Sequence, residues 1–139
     1  AKIEWVGNPV RDAITRVPAP EARFAGRTGP LNLLVVGGSL GAAAINRSVP
    51  AALALVPASA RPRVVHQAGA KHVEAVRAAY ASAGVAAACD AFIDDMAARY
   101  AEADIVLCRG GAITVAELAA DYGMTEVAIE QAVLYERAA

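Results

Sequence analysis

An apolar run from Leu31 to Val36 stops at Gly37-Gly38-Ser39-Leu40-Gly41 and passes directly into an alanine-rich stretch. This is the pattern of a buried strand feeding a tight turn into the first turn of a helix. Such a turn aims free backbone N–H groups, and the positive end of a helix dipole, at one spot. That spot suits a phosphate. Gly37 and Gly38 let the backbone come close to a ligand, and Ser39 adds a hydroxyl donor. The spacing is not G-x-G-x-x-G, and no Gly-Lys-Ser/Thr follows to make a P-loop. Taken alone, the turn reads equally as a close-packed corner that binds nothing.

The surrounding chain alternates strand and helix. Asp12 to Val17 holds about one helical turn, ended by Pro18 and Pro20, and Glu21 to Pro30 reads as a polar linker. After the first strand, Ala42 to Val56 is helical, with Pro50 expected to kink or split it. Arg63 to Gln67 is a second strand. Ala70 to Ala83 is an amphipathic helix with Val73, Val76, Ala79 and Tyr80 on one side, stopped by Gly84. Val85 to Phe92 is a weaker third strand, Asp94 to Ala101 a short helix opened by two acids, and Asp104 to Cys108 a fourth strand. Arg109-Gly110-Gly111 is a second glycine turn, followed by a helix from Ala112 to Ala120.

Short connections and continuously apolar strands predict an α/β fold, a Rossmann-like parallel sheet of about four strands with helices on both faces. Ligands of such folds sit at the carboxyl ends of the strands. Both glycine turns fall there, which favours a nucleotide or sugar-nucleotide site over a plain packing corner.

Composition narrows the classes. A chain of 139 residues with 57% hydrophobic residues can bury a real core as one domain. No apolar run reaches the roughly 18 residues that a membrane span needs. A formal net charge of −1 argues against a broad nucleic-acid-binding face. Cys89 and Cys108 lie in apolar strand-like runs and read as reduced thiols of a cytoplasmic protein. Asp94 and Asp95 read as helix N-terminal acids; with no third ligand in view, no metal is expected. The chain has no signal peptide and opens on Ala1, as an excised or engineered segment would.

Five segments in order resemble one family. They are Gly7-Asn8-Pro9-Val10-Arg11; Val35 to Ala42 with Ile45-Asn46; His66-Gln67-Ala68-Gly69; Phe92-Ile93-Asp94-Asp95-Met96; and Cys108 to Glu117. Together they resemble the carboxyl-terminal domain of the MurG glycosyltransferases of peptidoglycan synthesis. That family moves N-acetylglucosamine from UDP-GlcNAc onto lipid I to make lipid II. The resemblance covers residues 1 to about 120 and implies a GT-B half that holds the sugar-nucleotide donor. It implies that Gly37, Gly38, Ser39 and Gly41 meet the diphosphate, that Arg11 and the Ile93 backbone meet the uracil with Met96 close by, and that Ala112, Ile113 and Thr114 hold the sugar-phosphate end. It implies that Glu117 accepts hydrogen bonds from the ribose hydroxyls. No cofactor is implied.

Past Ala120 the pattern departs: 121–139 continues as a helical tail in place of the strand and sugar-reading glutamines expected there. The tail loosely resembles an antitoxin-like helix-turn-helix, but Glu126, Glu130 and Glu136 against Arg137 make a poor face for phosphates. Three functional expectations follow. The first is a UDP or UDP-GlcNAc-binding part of such a transferase, with no catalytic residue of its own and no transfer activity alone. The second is an engineered or chimeric fold without enzymatic activity. The third and weakest is a DNA-binding module. Membrane contact is expected of the whole family enzyme, at the inner face of the plasma membrane, and not of this chain. An exposed sheet edge could support self-association.

Overall fold

The computed structural model describes residues 10–38 and 42–122, Ala112 and Tyr122 by their backbone alone. Residues 1–9, Ser39 to Gly41, and the tail from residue 123 onward lie outside the described residues. Four strands, β1 (Asn32–Val36), β2 (Arg63–Gln67), β3 (Ala87–Asp90) and β4 (Ile105–Cys108), form one sheet in the order β3-β2-β1-β4. Every pairing is parallel. The crossovers carry α3 (Ala43–Ala54), α4 (Val73–Ser82) and α5 (Met96–Glu102), and α6 (Ala112–Tyr122) follows β4. Two short helices, α1 (Asp12–Thr15) and α2 (Pro20–Phe24), precede the sheet. The expected α/β architecture is therefore the one observed.

Successive strand residues point to opposite faces, and both faces of β1 are buried. Leu33 and Val35 join Val49, Leu53, Val76 and Tyr80 in a core under α3 and α4. Leu34 and Val36 join Ile14, Ile93, Met96, Tyr100 and Leu118 in a second core under α1, α5 and α6.

Two expectations need correction. Pro50 does not split its helix, since Ala43–Ala54 runs as one element through it. A proline forfeits one backbone bond and crowds the carbonyl four residues back. Here Pro50 is fully buried, in line with Val49 and Leu53, and tertiary packing outweighs the local penalty. The stretch from Glu21 to Pro30 is not a free linker either. Pro20 opens α2 at a position where its missing N–H costs nothing. Arg23 then donates to the Tyr100 carbonyl at 2.8 Å and to the Asp121 carboxylate at 3.2 Å. Arg27 donates to the carbonyls of Ala101 and Glu102 and to Asp104 at 2.7 Å. The ring of Phe24 lies against both guanidinium groups. Burial alone would raise the Asp104 carboxyl, but the Asn32 N–H and the Arg27 guanidinium hold it below its ordinary value. At Asp121 burial wins over the pull of Arg23 and pushes the carboxyl up.

A buried polar relay ties the two crossovers of the first face together. His66 is fully buried, with Nδ1 2.9 Å from the Tyr80 hydroxyl and Nε2 3.1 Å from Asn46 Oδ1. Asn46 in turn donates through Nδ2 to the Ala68 carbonyl at 3.0 Å. An amide oxygen only accepts, so Nε2 carries the proton and Nδ1 accepts from the tyrosine. Among the described residues no group of His, Cys, Asp and Glu could hold a metal ion, and no helix is long and apolar enough to cross a membrane. Cys89 and Cys108 form no disulfide with each other.

The Arg23–Asp121 pair is almost wholly buried. Removing one partner of such a pair strands the other charge, so Arg23→Ala is expected to cost about 3 kcal/mol, read as a lower urea midpoint. Burial lowers the His66 imidazole to about 4 from its ordinary 6.5. Between those values the unfolded chain binds a proton that the folded one refuses. The stabilisation is complete above pH 6.5 and is lost on acidification, about 3 kcal/mol by pH 4. Urea unfolding across that range should show the decline, and His66→Gln should flatten it between pH 6.5 and 5 whatever its effect on absolute stability.

Candidate functional site

β1 and β4 are neighbours in register, with Val36 beside Cys108. The two glycine turns therefore leave the sheet side by side at its carboxyl edge. The Gly37 N–H donates to the Gln67 carbonyl at 3.1 Å, extending the ladder by one step beyond β1. Gly38 then turns with φ of +76°, a left-handed conformation that side-chain-bearing residues rarely adopt. A Cβ there would meet nothing within 4 Å. Gly38 thus serves the backbone turn rather than close packing, which removes the plain packing explanation for that glycine. On the neighbouring strand, the Gly111 carbonyl accepts the Val115 N–H at 2.9 Å and opens α6.

Of the expected set, Gly37 and Gly38 follow β1 and Ala112 to Thr114 follow the turn after β4, while Ser39 and Gly41 lie outside the described residues. Ile113 is exposed beside the second turn and Thr114 is half-buried one residue on. Ile93 and Met96 are buried in the core under α5, so Ile93 can offer a ligand only its backbone. Asp95 caps α5, its Oδ1 accepting the Ala98 N–H at 3.0 Å, which is the structural role read for it.

Glu117, one turn into α6, is 3% exposed. Arg11, at the entry to α1, grips it side-on: Nε lies 2.7 Å from Oε1 and Nη2 3.0 Å from Oε2. This is the short, bidentate kind of charged hydrogen bond. It raises the Arg11 guanidinium, the hydrogen bond to Glu117 outweighing partial burial. The Tyr100 hydroxyl approaches Oε2 at 3.5 Å from the core side. Burial, reinforced by the Glu117 charge, pushes that phenol above its ordinary value. Sequence reasoning named Arg11 and Glu117 separately and missed both their pairing and Tyr100. The one available signal for Tyr100 was its position four residues after Met96, on the same face of a short helix.

Comparison with known proteins gives the family. Residues 32–128 match the glycosyltransferase family 28 C-terminal domain. A relative from an Azoarcus species is 66% identical over 119 residues, covering 86% of this chain and 33% of the relative. One from Aromatoleum aromaticum is 67% identical over 119 residues with the same coverage. Both carry the name UDP-N-acetylglucosamine–N-acetylmuramyl-(pentapeptide) pyrophosphoryl-undecaprenol N-acetylglucosamine transferase. The chain spans about a third of the length of these relatives. The crystal structure of Acinetobacter baumannii MurG superposes with a TM-score of 0.69 at 40% identity, covering 78% of this chain and 31% of that one. With its sheet, its paired glycine turns and a family match over most of its length, the chain belongs to glycosyltransferase family 28, as a C-terminal domain of the MurG type.

Proposed function

We propose that this chain is the donor-nucleotide part of a transferase that moves N-acetylglucosamine from UDP-GlcNAc to a lipid-linked pyrophosphoryl acceptor at the cytoplasmic face of the membrane. The observation that carries the reading is the register of Val36 with Cys108, which sets two glycine turns and the start of α6 side by side at one edge. Backbone N–H groups gathered there suit a diphosphate. In sugar transfer the nucleoside diphosphate departs with the electron pair of the broken glycosidic bond. Fixed donors at that oxygen lower the barrier without having to reorganise.

Around the diphosphate the remaining residues divide the nucleotide. Glu117 takes the ribose, since a carboxylate can accept from two vicinal hydroxyls at once. The Ile93 backbone takes the edge of the uracil. Ala112, Ile113 and Thr114 hold the sugar-phosphate end.

Titration with UDP, followed by NMR amide shifts, tests the reading. Shifts are expected at Gly37, Gly38, Thr114 and Glu117, and Glu117→Ala should weaken binding about tenfold or more through loss of charged hydrogen bonds. An unperturbed spectrum at millimolar UDP would sink it.

A further inference from the structure

The resemblance assigns Arg11 to the uracil, yet the structure lays the Nε/Nη2 edge of its guanidinium on Glu117. Arg11 is not free to wander from there. Its carbonyl accepts the Ile14 N–H at 2.9 Å and starts α1, and Ile14 is locked in the core beside Met96, Tyr100 and Leu118. The backbone of Arg11 is therefore fixed against α6, with its side chain on the carboxylate. The Tyr100 hydroxyl closes on the same carboxylate from below, and Tyr100 is 1% exposed.

A carboxylate offers about four lone-pair positions. The side-on guanidinium uses one on each oxygen, and the Tyr100 hydroxyl takes a second on Oε2 at the long distance of 3.5 Å, so Oε1 keeps an open position and Oε2 one held only by that long contact. The acid is thus held in one rotamer while still able to accept one hydroxyl on Oε1 and a second on Oε2 in place of the long phenol contact. It is also neutralised as a pair, which matters beside a site for a diphosphate, where an unpaired acid would repel the ligand.

We infer that Arg11 is a positioning residue that sets the ribose selectivity of the donor site, by holding Glu117 in place for the two sugar hydroxyls rather than by touching the base. The inference rests on the donor-site reading above and sharpens which ligand feature each residue serves. It makes the choice between a ribonucleotide and a 2′-deoxyribonucleotide depend on a residue that contacts neither hydroxyl.

The test compares UDP with 2′-deoxy-UDP on the full chain by calorimetry. The natural chain is expected to prefer UDP by about tenfold, the loss of one charged hydrogen bond. Arg11→Ala should bring that ratio close to one, and the double variant with Glu117→Ala should bind UDP no worse than Glu117→Ala alone. Arg11→Lys, which keeps the charge but loses the planar fork, should lose most of the preference as well, and NMR spectra confirm that each variant is folded. If Arg11→Ala instead weakens both nucleotides equally and leaves their ratio intact, Arg11 serves the base and the inference is overturned while the donor site stands. Additive losses in the double variant, or no preference in the natural chain, overturn it likewise. Failure of the natural chain to bind either nucleotide overturns the donor-site reading, and this inference with it.

Discussion

The register of β1 is the constraint on which the rest of the structure depends. β1 is paired on both sides and buried on both faces. In a strand with one wet face, a slip of one residue carries apolar side chains into water and is penalised heavily. Here a slip would exchange Leu33 and Val35 for Leu34 and Val36, one apolar set for another, so burial specifies little. Polar contacts pin the register instead. Asp104 accepts the Asn32 N–H at 2.7 Å at the amino end, and Gly37 donates to the Gln67 carbonyl at the other. On β2, His66 stands beside Val35 and must face Asn46 and Tyr80 rather than the opposite layer. A shift would bury that imidazole without partners, at the full desolvation cost of a polar group. The two glycine turns meet at one edge because these contacts leave β1 and β4 a single alignment.

What the sequence made legible follows from how local each signal is. The four strands and the helices between them appear as apolar runs of the right length broken at glycines, because a parallel sheet buries both faces of each strand. The paired glycine turns were legible for the same reason. α2 was not. Five residues cannot hold a helix by propensity, and what holds Pro20–Phe24 is a set of arginine contacts to partners 77 and 98 residues away. Pro50 misled in the opposite direction, since its local cost is visible and the packing that absorbs it is not. In the site, Glu117 and Arg11 drew attention only through their family motifs. Their pairing spans 106 residues and depends on α1 docking against α6.

The cost of the Arg11–Glu117 pair falls unequally on its members. The Glu117 side chain is 4% exposed, whereas that of Arg11 is 51% exposed. An exposed ion pair contributes little to stability, and a fully buried one barely repays its desolvation. This pair lies between the two cases. Without Glu117, Arg11 would turn to water at small cost. Without Arg11, Glu117 would remain an acid in a nearly closed site, with a tyrosine hydroxyl at 3.5 Å as its remaining side-chain hydrogen-bond partner among the described residues.

The need therefore runs from the acid to the arginine. A chain under pressure only for stability has no reason to place an acid in that pocket, since an apolar side chain of similar volume would pack there without any partner. An acid kept beside two glycine turns, aimed by a guanidinium that remains reachable from solvent, fits a ligand that brings hydroxyls to the carboxylate and phosphates to the turns. In the donor site proposed above, neutralising the acid would let one small site receive both. The arginine comes from the segment ahead of α1 and not from α6 itself, where a cation on the first turns would oppose the helix dipole.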